Sequence, residues 1–409
     1  MSQVGEQGQD EHDAGHDDHP APVPFLELFY DLVFVAATVV LSNVFSHDIG
    51  WMSAARTTLM FVLLWLLWFH STVQMNVQRL DDTLQRGLVF AQMLLIFLSA
   101  VAYADHHINT VDFVAISYSV AVLFVAFGFH RLRHSPDPVG TWALRRRNRL
   151  MLAAGVMIVG FFVPDGPDLV LYPLAIIALA WPTSVRTHRA LAKAIPAMDE
   201  HHLTERAALL TLIVMGESLV KAALVITGGS LGIWDISALV VLFIVLFGLF
   251  SLYFDDIPKA GIRPGIVFGE LWLLAHVVLQ VSIVGLAVGV SGYLQTGDDN
   301  APDWAIIVTM IAFAGIFVGL TMIAAFDRRE PRGALIATRL VTAGLAIGLG
   351  FIPLVARSIV PGSYLSELAI LSVGCAIVSA RIRRRTTIVP ADSPKFVPQH
   401  LRTTAEVAP

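Results

Sequence analysis

Long runs of apolar residues, separated by short polar breaks, limit the fold of this chain more than any other feature. A helix rises about 1.5 Å per residue, so about 20 apolar residues cross the roughly 30 Å hydrocarbon core of a membrane. The runs predict an all-α fold, a polytopic membrane helix bundle of about 12 transmembrane helices. The predicted spans are 25–45, 54–76, 86–104, 110–130, 148–163, 168–185, 204–226, 233–254, 265–291, 303–325, 334–355 and 364–380.

The composition supports a membrane protein over a soluble one. Hydrophobic residues make up 56% of the 409 positions and charged residues 14%, whereas soluble domains are roughly 25% charged. The single cysteine, Cys375, lies in an apolar run, which excludes a disulfide framework and a cysteine-based zinc site. No nucleotide-binding motif is present, and the sequence predicts no cofactor and no metal centre.

Lysine and arginine fall in every second loop, which predicts the orientation of the bundle, because cytoplasmic loops retain these residues. The basic loops include "RRRNR" before the fifth span and "RIRRR" after the twelfth. We therefore predict that both termini are cytoplasmic. A basic face of this kind indicates topology and anionic membrane lipid as a partner, and not nucleic acid.

Two polar tails flank the apolar part of the chain. The N-terminal tail is acidic and carries His12, His16 and His19 without apolar residues to bury. This composition favours disorder, with transition-metal binding as the alternative. The predicted divisions are a cytoplasmic tail over 1–24, a six-helix half over 25–190, a second six-helix half over 200–381, and a cytoplasmic tail over 382–409.

Short sequence matches predict that the two halves are a parallel repeat. "GLVFAQM" opens the third span and "GIVFGEL" opens the ninth, which pairs Gln92 with Glu270. The same offset pairs Glu27 with Glu205, and "RLMLAAGVMIVGFF" resembles "RLVTAGLAIGLGFI". The alternative is chance recurrence of the residues common in all membrane helices.

The first span carries two acidic residues, Glu27 and Asp31, one helical turn apart. If Asp31 lay outside the membrane, residues 32–45 would supply only about 21 Å of helix. Asp31 is therefore predicted inside the span, as a functional-site candidate. For Glu27 the favoured interpretation is an acid at the cytoplasmic interface, stabilised by the helix N-terminus.

The seventh span carries Glu217 and Lys221 four residues apart on one helix face. One interpretation is a structural ion pair that neutralises itself. The other is a proton- or ion-responsive site. A lipid-facing acid at this depth is costly, so we expect Glu217 to face the protein interior, close to Asp31 or His276.

The ninth span places His276 and Gln280 on one face, with Glu270 nearer the cytoplasm. A single histidine in an apolar helix is usually a hydrogen-bonded core residue. Its expected depth, similar to that of Asp31 and Glu217, makes an ion-binding role an equal alternative.

Further polar residues lie near the cytoplasmic ends of the second and eighth spans. They are secondary candidates for the same site, or ordinary loop charges that pair with neighbouring arginines. They are Asn76, Arg79, Asp81 and Asp255.

Several of these motifs together resemble the low temperature requirement A family of bacterial multi-pass membrane proteins. The resemblance rests on "ELFYDLVFV", "NVQRLDD", "ER" followed by "MGESLV", "YFD" and the histidine of the ninth span, over about residues 25–380. It adds Glu205 and Arg206 to the candidates and implies a bacterial cytoplasmic membrane. Ala207 departs from the aromatic residue often found there, and "RLDDTLQR" is shorter than usual. The family name implies a link to growth in the cold, without implying a chemistry.

Two classes of function fit these features, and both leave oligomeric state open. The first is a proton- or cation-linked transporter of a small molecule or ion, with Asp31, Glu217 and His276 as proton or cation sites and Lys221 acting on Glu217. The second is a membrane-embedded enzyme acting on a lipid or polyprenyl carrier. The scattered histidines disfavour the second class. A sensor or scaffold for membrane adaptation is a further alternative.

Overall fold

Twelve long helices build the part of the chain that the computed structural model describes. The described residues are 24–47, 49–78, 82–104, 110–136, 139–162, 168–181, 199–227, 232–296, 301–355, 361–390 and 393. The helices are α1 (Phe25–His47), α2 (Trp51–Val77), α3 (Thr83–Ala104), α4 (Thr110–Arg131), α5 (Val139–Phe161), α6 (Asp168–Ala180), α7 (Glu200–Thr227), α8 (Ile233–Phe254), α9 (Ile266–Thr296), α10 (Asp303–Ala324), α11 (Gly333–Val355) and α12 (Pro361–Arg383).

The predicted fold class is confirmed, because each predicted span overlaps one of these helices. Within the described residues, 10 helices are long and apolar enough to cross a membrane. The other two are α5, which carries a run of arginines from its seventh residue, and α6, which has 13 residues. The outward faces of the helices are apolar, as in Val240, Phe243 and Phe247 of α8, which are exposed. An apolar outer surface of this extent suits contact with lipid, and the chain is a multi-pass membrane protein.

The two halves of the bundle share one packing order. In the first half α1 packs on α2 and α3, α3 on α4, α4 on α5, α5 on α6, and α2 on α6. The second half has the same order. Here α7 packs on α8 and α9, α9 on α10, α10 on α11, α11 on α12, and α8 on α12. This correspondence supports the predicted parallel repeat, while superposition of Gln92 on Glu270 remains a prediction.

Helices α1 and α7 meet at the boundary between the halves and run parallel. Glu27 contacts Arg206, Thr38 contacts Glu217, and in each case the partners are 179 residues apart. The repeat predicted from the sequence has nearly the same spacing, so equivalent levels of the two halves face each other. We call the side of the bundle where α1 begins the near face, and the side where α1 ends and α2 begins the far face.

Glycine allows the close contact between α9 and α10. A Cβ atom at Gly289 would lie 2.8 Å from the backbone nitrogen of Thr309, and one at Gly319 would lie 2.7 Å from that of Leu279. Side chains at either position would separate the helices. Small residues at an interface are the usual means by which membrane helices approach closely.

A small β-structure closes the near face of the second half. Strand β1 (Arg329–Glu330) pairs antiparallel with β2 (Thr387–Ile388), with Arg329 opposite Ile388. The segment predicted as a C-terminal tail therefore begins as a strand attached to the loop after α10. Residues 1–23 of the predicted N-terminal tail lie outside the described residues.

Candidate functional site

A buried arginine on α7 pairs with both acidic residues of α1. Arg206 Nη1 donates to Glu27 Oε2 at 3.0 Å, and Nη2 donates to Asp31 Oδ1. All three side chains are buried. The contact forms because the parallel packing of α1 and α7 brings their near-face turns to the same depth. Buried charges in a membrane protein pair with one another to offset the cost of losing water.

The two acidic residues of α1, Glu27 and Asp31, are both partners of Arg206. Asp31 is 0% exposed and lies within the first membrane span, as predicted. Glu27 lies in the first turn of α1, as predicted for an acid at the helix N-terminus, and its carboxylate is in addition buried and paired with Arg206. Sequence separation hid this pairing, since Arg206 belongs to the other half of the chain.

Polar side chains of α2 and α7 extend this cluster toward the near face. His202 Nε2 lies 3.0 Å from Glu27 Oε2, and Asn76 Nδ2 lies 3.2 Å from His202 Nδ1. Toward the interior, Trp68 Nε1 donates to Asp31 Oδ1 at 2.7 Å. A continuous chain of polar contacts therefore runs from the end of α2 to the buried carboxylate of Asp31. Asn76, predicted only as a secondary candidate, is part of it.

Two atoms in the cluster have unused hydrogen-bonding capacity. Within the described residues, Asp31 Oδ2 and Arg206 Nε are buried without a hydrogen-bond partner. Native proteins satisfy most buried polar atoms, so unsatisfied ones call for an explanation. A carboxylate oxygen in this condition can accept a proton.

A second cluster lies farther along the same two helices. Thr38 Oγ1 donates to Glu217 Oε2 at 3.0 Å, and Ser42 Oγ donates to Glu217 Oε1 at 3.1 Å. Lys221 Nζ donates to Ser42 Oγ at 3.1 Å and to Asn43 Oδ1 at 3.3 Å. Glu217 faces the interior as predicted and is 5% exposed. The hydroxyl of Ser42 thus connects the carboxylate and the ammonium group.

The predicted meeting of Glu217 with Asp31 or His276 does not occur. Glu217 contacts Thr38, and Asp31 contacts residues at the near face. Asp31 and Thr38 are seven residues apart on α1, which separates the two clusters by about 10 Å along the helix. The predicted convergence failed because it placed Asp31 and Glu217 at one depth, whereas Glu217 lies level with Thr38, about two helical turns farther from the near face.

His276 is a hydrogen-bonded core residue, which was one of the two interpretations of its sequence position. Its Nδ1 lies 2.9 Å from the Trp272 carbonyl oxygen, and its Nε2 lies 3.0 Å from the Tyr253 hydroxyl. Gln280, one turn away, accepts from Trp65 Nε1 at 2.7 Å and donates to Thr211 at 3.1 Å. The two ring nitrogens of His276 and the amide oxygen and nitrogen of Gln280 therefore all have partners within the protein.

Glu270 joins the ninth helix to the first half of the bundle. Its Oε1 lies 2.8 Å from Arg146 Nη2, and both side chains are 3% exposed. The Arg146 guanidinium lies 5.5 Å from the ring centroids of Phe69 and Phe129 and 5.2 Å from that of Trp142. The cation is therefore held by one carboxylate and three aromatic faces.

Another buried acid, Asp256, anchors the near face of the second half. Asp256 is 0% exposed, pairs with Arg329 Nη2 at 2.7 Å, and accepts from Arg339. Asp255, the residue selected from the sequence, is instead half exposed and pairs with Lys259. Because neighbouring residues at the end of α8 point to different sides, the carboxylate of Asp256 is buried and that of Asp255 is exposed.

The remaining candidates lie at the periphery or outside the described residues. Glu205 is partly exposed and lies 3.8 Å from His201. Arg79 and Asp81 are outside the described residues. Within the described part, no group of three or more His, Cys, Asp or Glu side chains is arranged to hold a metal ion.

A cavity of about 810 Å³ lies between the halves at the far face. Its walls come from the far-face ends of α1 and α2 on one side and of α9 and α10 on the other. Among the described residues that line it, none is charged, and the polar ones are Ser42, Thr57, Thr58 and Ser282. Ser42 also contacts Glu217, so the second cluster adjoins the cavity wall.

The sequence belongs to a known family over nearly the whole bundle. Residues 22–376 match the family described as bacterial low temperature requirement A protein. The chain belongs to this family. An uncharacterized protein of Rhizobium meliloti (strain 1021) is 29% identical over 204 residues, which cover 48% of this chain and 49% of that protein. The chain thus spans about half the length of that relative.

Sequence reasoning missed several residues that complete the clusters in this low temperature requirement A protein. Arg146 belongs to the basic segment "RRRNR" that predicts topology, although it lies two turns into α5. Asp256, and not its neighbour Asp255, is the buried acid at the end of α8. Ser42 and Thr38 gave no signal, because hydroxyl residues are common in membrane helices and reveal their partners only when the helices pack.

Proposed function

We propose that the protein is a proton- or cation-linked transporter of the bacterial cytoplasmic membrane, with the near face toward the cytoplasm. The observation that carries this proposal is an asymmetry between the two faces. Buried ion pairs join the halves at the near face, through Arg206 with Asp31 and through Arg146 with Glu270. At the far face a cavity separates the same halves. This arrangement suits a protein that exposes one central site to each side in turn.

In this proposal the near-face ion pairs form a closed cytoplasmic gate. Arg206 faces two carboxylates, so the cluster has one negative charge in excess when Glu27 and Asp31 are both ionised and His202 is neutral. A proton on Asp31 would remove half of the carboxylate charge facing Arg206. The gate would then separate more easily, which links a proton to the change of access.

Glu217 would connect the cavity to this change. Its carboxylate contacts Thr38 and Ser42 on α1, and Ser42 lines the cavity. A ligand that competes for the Ser42 hydroxyl would alter the contacts of Glu217 and Lys221. Both lie on α7, the helix that also carries the gate residue Arg206, so movement of α7 against α1 can couple the two clusters.

Proton flux in liposomes tests the proposal. The purified protein is reconstituted with an internal pH dye, and a pH gradient is applied. We expect flux from the unmodified protein and loss of flux in Glu217→Gln, which keeps the shape of the side chain. Glu205→Gln is the matched control, because it makes the same change at a partly exposed position of the same helix. Equal flux in both variants would reject the role of Glu217.

A double variant separates this role from a purely structural ion pair. Glu217→Gln and Lys221→Met remove the two charges together. If the residues only stabilise the fold, each single change leaves a buried partner without its counter-charge, and the double variant recovers both stability and flux. We expect the double variant to recover stability and to remain without flux.

An acyl-transferring enzyme that acts on lipid is the second candidate, and the contacts of Ser42 favour it. Its Oγ lies 3.1 Å from both Glu217 Oε1 and Lys221 Nζ, at the wall of an apolar cavity. Such a hydroxyl can attack an ester carbonyl while its proton passes to the Glu217 carboxylate, which then protonates the departing alcohol. Covalent labelling of Ser42 by a lipophilic fluorophosphonate, absent in Ser42→Ala, would support this candidate. Absence of labelling in the folded protein would reject it.

A further inference from the structure

We propose that the far-face cavity binds one hydrocarbon chain of an outer-leaflet lipid, with an ester or hydroxyl group of that lipid at the level of Ser42 and Thr57. The proposal names a ligand class, the uncharged chain-bearing part of an amphiphile. As a statement about binding it stands on the cavity alone, and its assignment to the outer leaflet rests on the orientation given in the proposed function. As a statement about the transported substrate it rests on the proposed function.

The lining of the cavity matches a hydrocarbon ligand better than an ion. Its walls are aliphatic and aromatic, and the polar groups among the described lining residues are hydroxyls. An inorganic ion or a charged solute here would lose its water without gaining a counter-charge from the wall, which is costly. The volume of about 810 Å³ is in the range of small-molecule sites.

The depth of the cavity matches one leaflet of a membrane. Trp304 and Gly315 both line it, and they are eleven residues apart on α10, or about 16 Å along the helix. Half of a hydrocarbon core is about 15 Å thick. Trp51 and Trp304 mark the outer end, where tryptophan commonly lies at the membrane interface. The cavity therefore spans the layer that lipid chains occupy.

The rim of the cavity is open toward the surface of the bundle. Ile311 and Trp51 line it and are both exposed. Because the helices here face lipid, a chain can enter sideways from the outer leaflet. Ser42 and Thr57 each lie about 8 Å to 9 Å from the far-face ends of α1 and α2. Farther inward the wall is mainly apolar as far as Gly315, where Ser282 adds a hydroxyl.

Photolabelling tests the binding site directly. The full-length protein in detergent is irradiated with a long-chain alcohol that carries a diazirine in mid-chain, and labelled residues are mapped by mass spectrometry. We expect saturable labelling of the cavity walls on α2 and α10, prevented by excess unlabelled alcohol. Ala54→Phe, which fills the cavity from α2, should abolish the saturable part. Ala223→Phe, the same change at an exposed position on α7 outside the cavity, should preserve it.

The outcomes separate this inference from the proposed transport. Ile311→Trp narrows the rim from the opposite wall and repeats the test if Ala54→Phe fails to fold. Labelling that does not saturate, or that is equal in the folded filled-cavity and control variants, overturns the lipid site. Saturable labelling without proton flux in liposomes leaves the lipid site standing and rejects the transporter. Proton flux without saturable labelling leaves the transporter standing and overturns the lipid site.

Discussion

Arg146 on α5 and Glu270 on α9 form a buried ion pair, with 2.8 Å between Nη2 and Oε1, that joins the two halves of the bundle. The pair lies at the near face, as does the contact of Arg206 with Asp31. Both contacts cross the same boundary between halves. At the far face that boundary holds the cavity. The two ends of this interface therefore differ, because buried ion pairs cross it at the near face, whereas at the far face an apolar cavity opens beside the contacts of Lys221 with Ser42 and Asn43.

Loss of Arg146 should destabilise the protein strongly. Arg146→Met removes the cation from a buried carboxylate and from three aromatic rings, and such changes cost about 3–5 kcal/mol. The measurement is thermal unfolding in detergent. Lys259→Met is the control, since Lys259 forms an exposed ion pair of a kind that contributes about 0–1 kcal/mol. Equal melting temperatures for the two variants would contradict the assigned importance of the Arg146 contact.

Weakening the Arg206 cluster should reduce access to the cavity from outside. A cysteine at position 55, which lines the cavity and is exposed, is introduced after Cys375→Ser. An impermeant thiol reagent should label it in whole cells. Adding Asp31→Asn weakens the gate at the near face, shifts the population toward the other state, and should slow labelling. Asp255→Asn, at an exposed position, should leave the rate unchanged. A faster rate with Asp31→Asn would reject the gate.

Asp327, in the loop after α10, should make stability depend on pH. Burial, together with the negative charge of nearby Asp256, raises the pKa of its carboxyl group to about 7, against the opposing effects of the hydrogen bond from the Arg329 backbone and of the charges of Arg329 and Arg339. A raised pKa means that the folded state binds the proton more tightly than the unfolded state. This contribution therefore falls as pH rises from about 4 to about 7, and it is level above that.

The change that tests this pH dependence is Asp327→Asn. Asparagine keeps an acceptor for the Arg329 backbone nitrogen, which donates to Asp327 Oδ1 at 3.0 Å. The variant should lose this part of the pH dependence and be more stable than the unmodified protein above about pH 7. Thermal unfolding across this range decides it. Parallel curves for the two proteins would show that Asp327 titrates at an ordinary carboxyl pKa.

The orientation predicted from the basic loops has its own test. Single cysteines are placed at Gly229 and Gly297, predicted outside, and at Gly140 and Arg328, predicted inside, after Cys375→Ser. The positive-inside rule predicts that an impermeant reagent labels the first two in intact cells and the others only after permeabilisation. Labelling of position 140 without labelling of 297 would invert the orientation.

The sequence by itself determined the helices and the acidic residues that must be buried. Apolar runs of membrane-spanning length specify helices locally, because lipid offers no partner for backbone polar groups. The sequence also identified Asp31 and Glu217 as buried, because a carboxylate within an apolar run must face protein and not lipid. These inferences need only the spacing of residues along one helix.

Only the tertiary structure decided which residues meet. Arg206 contacts Glu27 from 179 residues away, and Arg146 contacts Glu270 while it packs on Phe69 and Phe129 of two other helices. His276, for which a core role and a site role are equal alternatives by sequence, is a core residue because Trp272 and Tyr253 occupy its two ring nitrogens. A pattern along one helix indicates depth and face. It does not indicate the rotation and neighbour of the opposing helix, and those two quantities decide whether a buried polar side chain meets a counter-charge, a hydroxyl or a cavity.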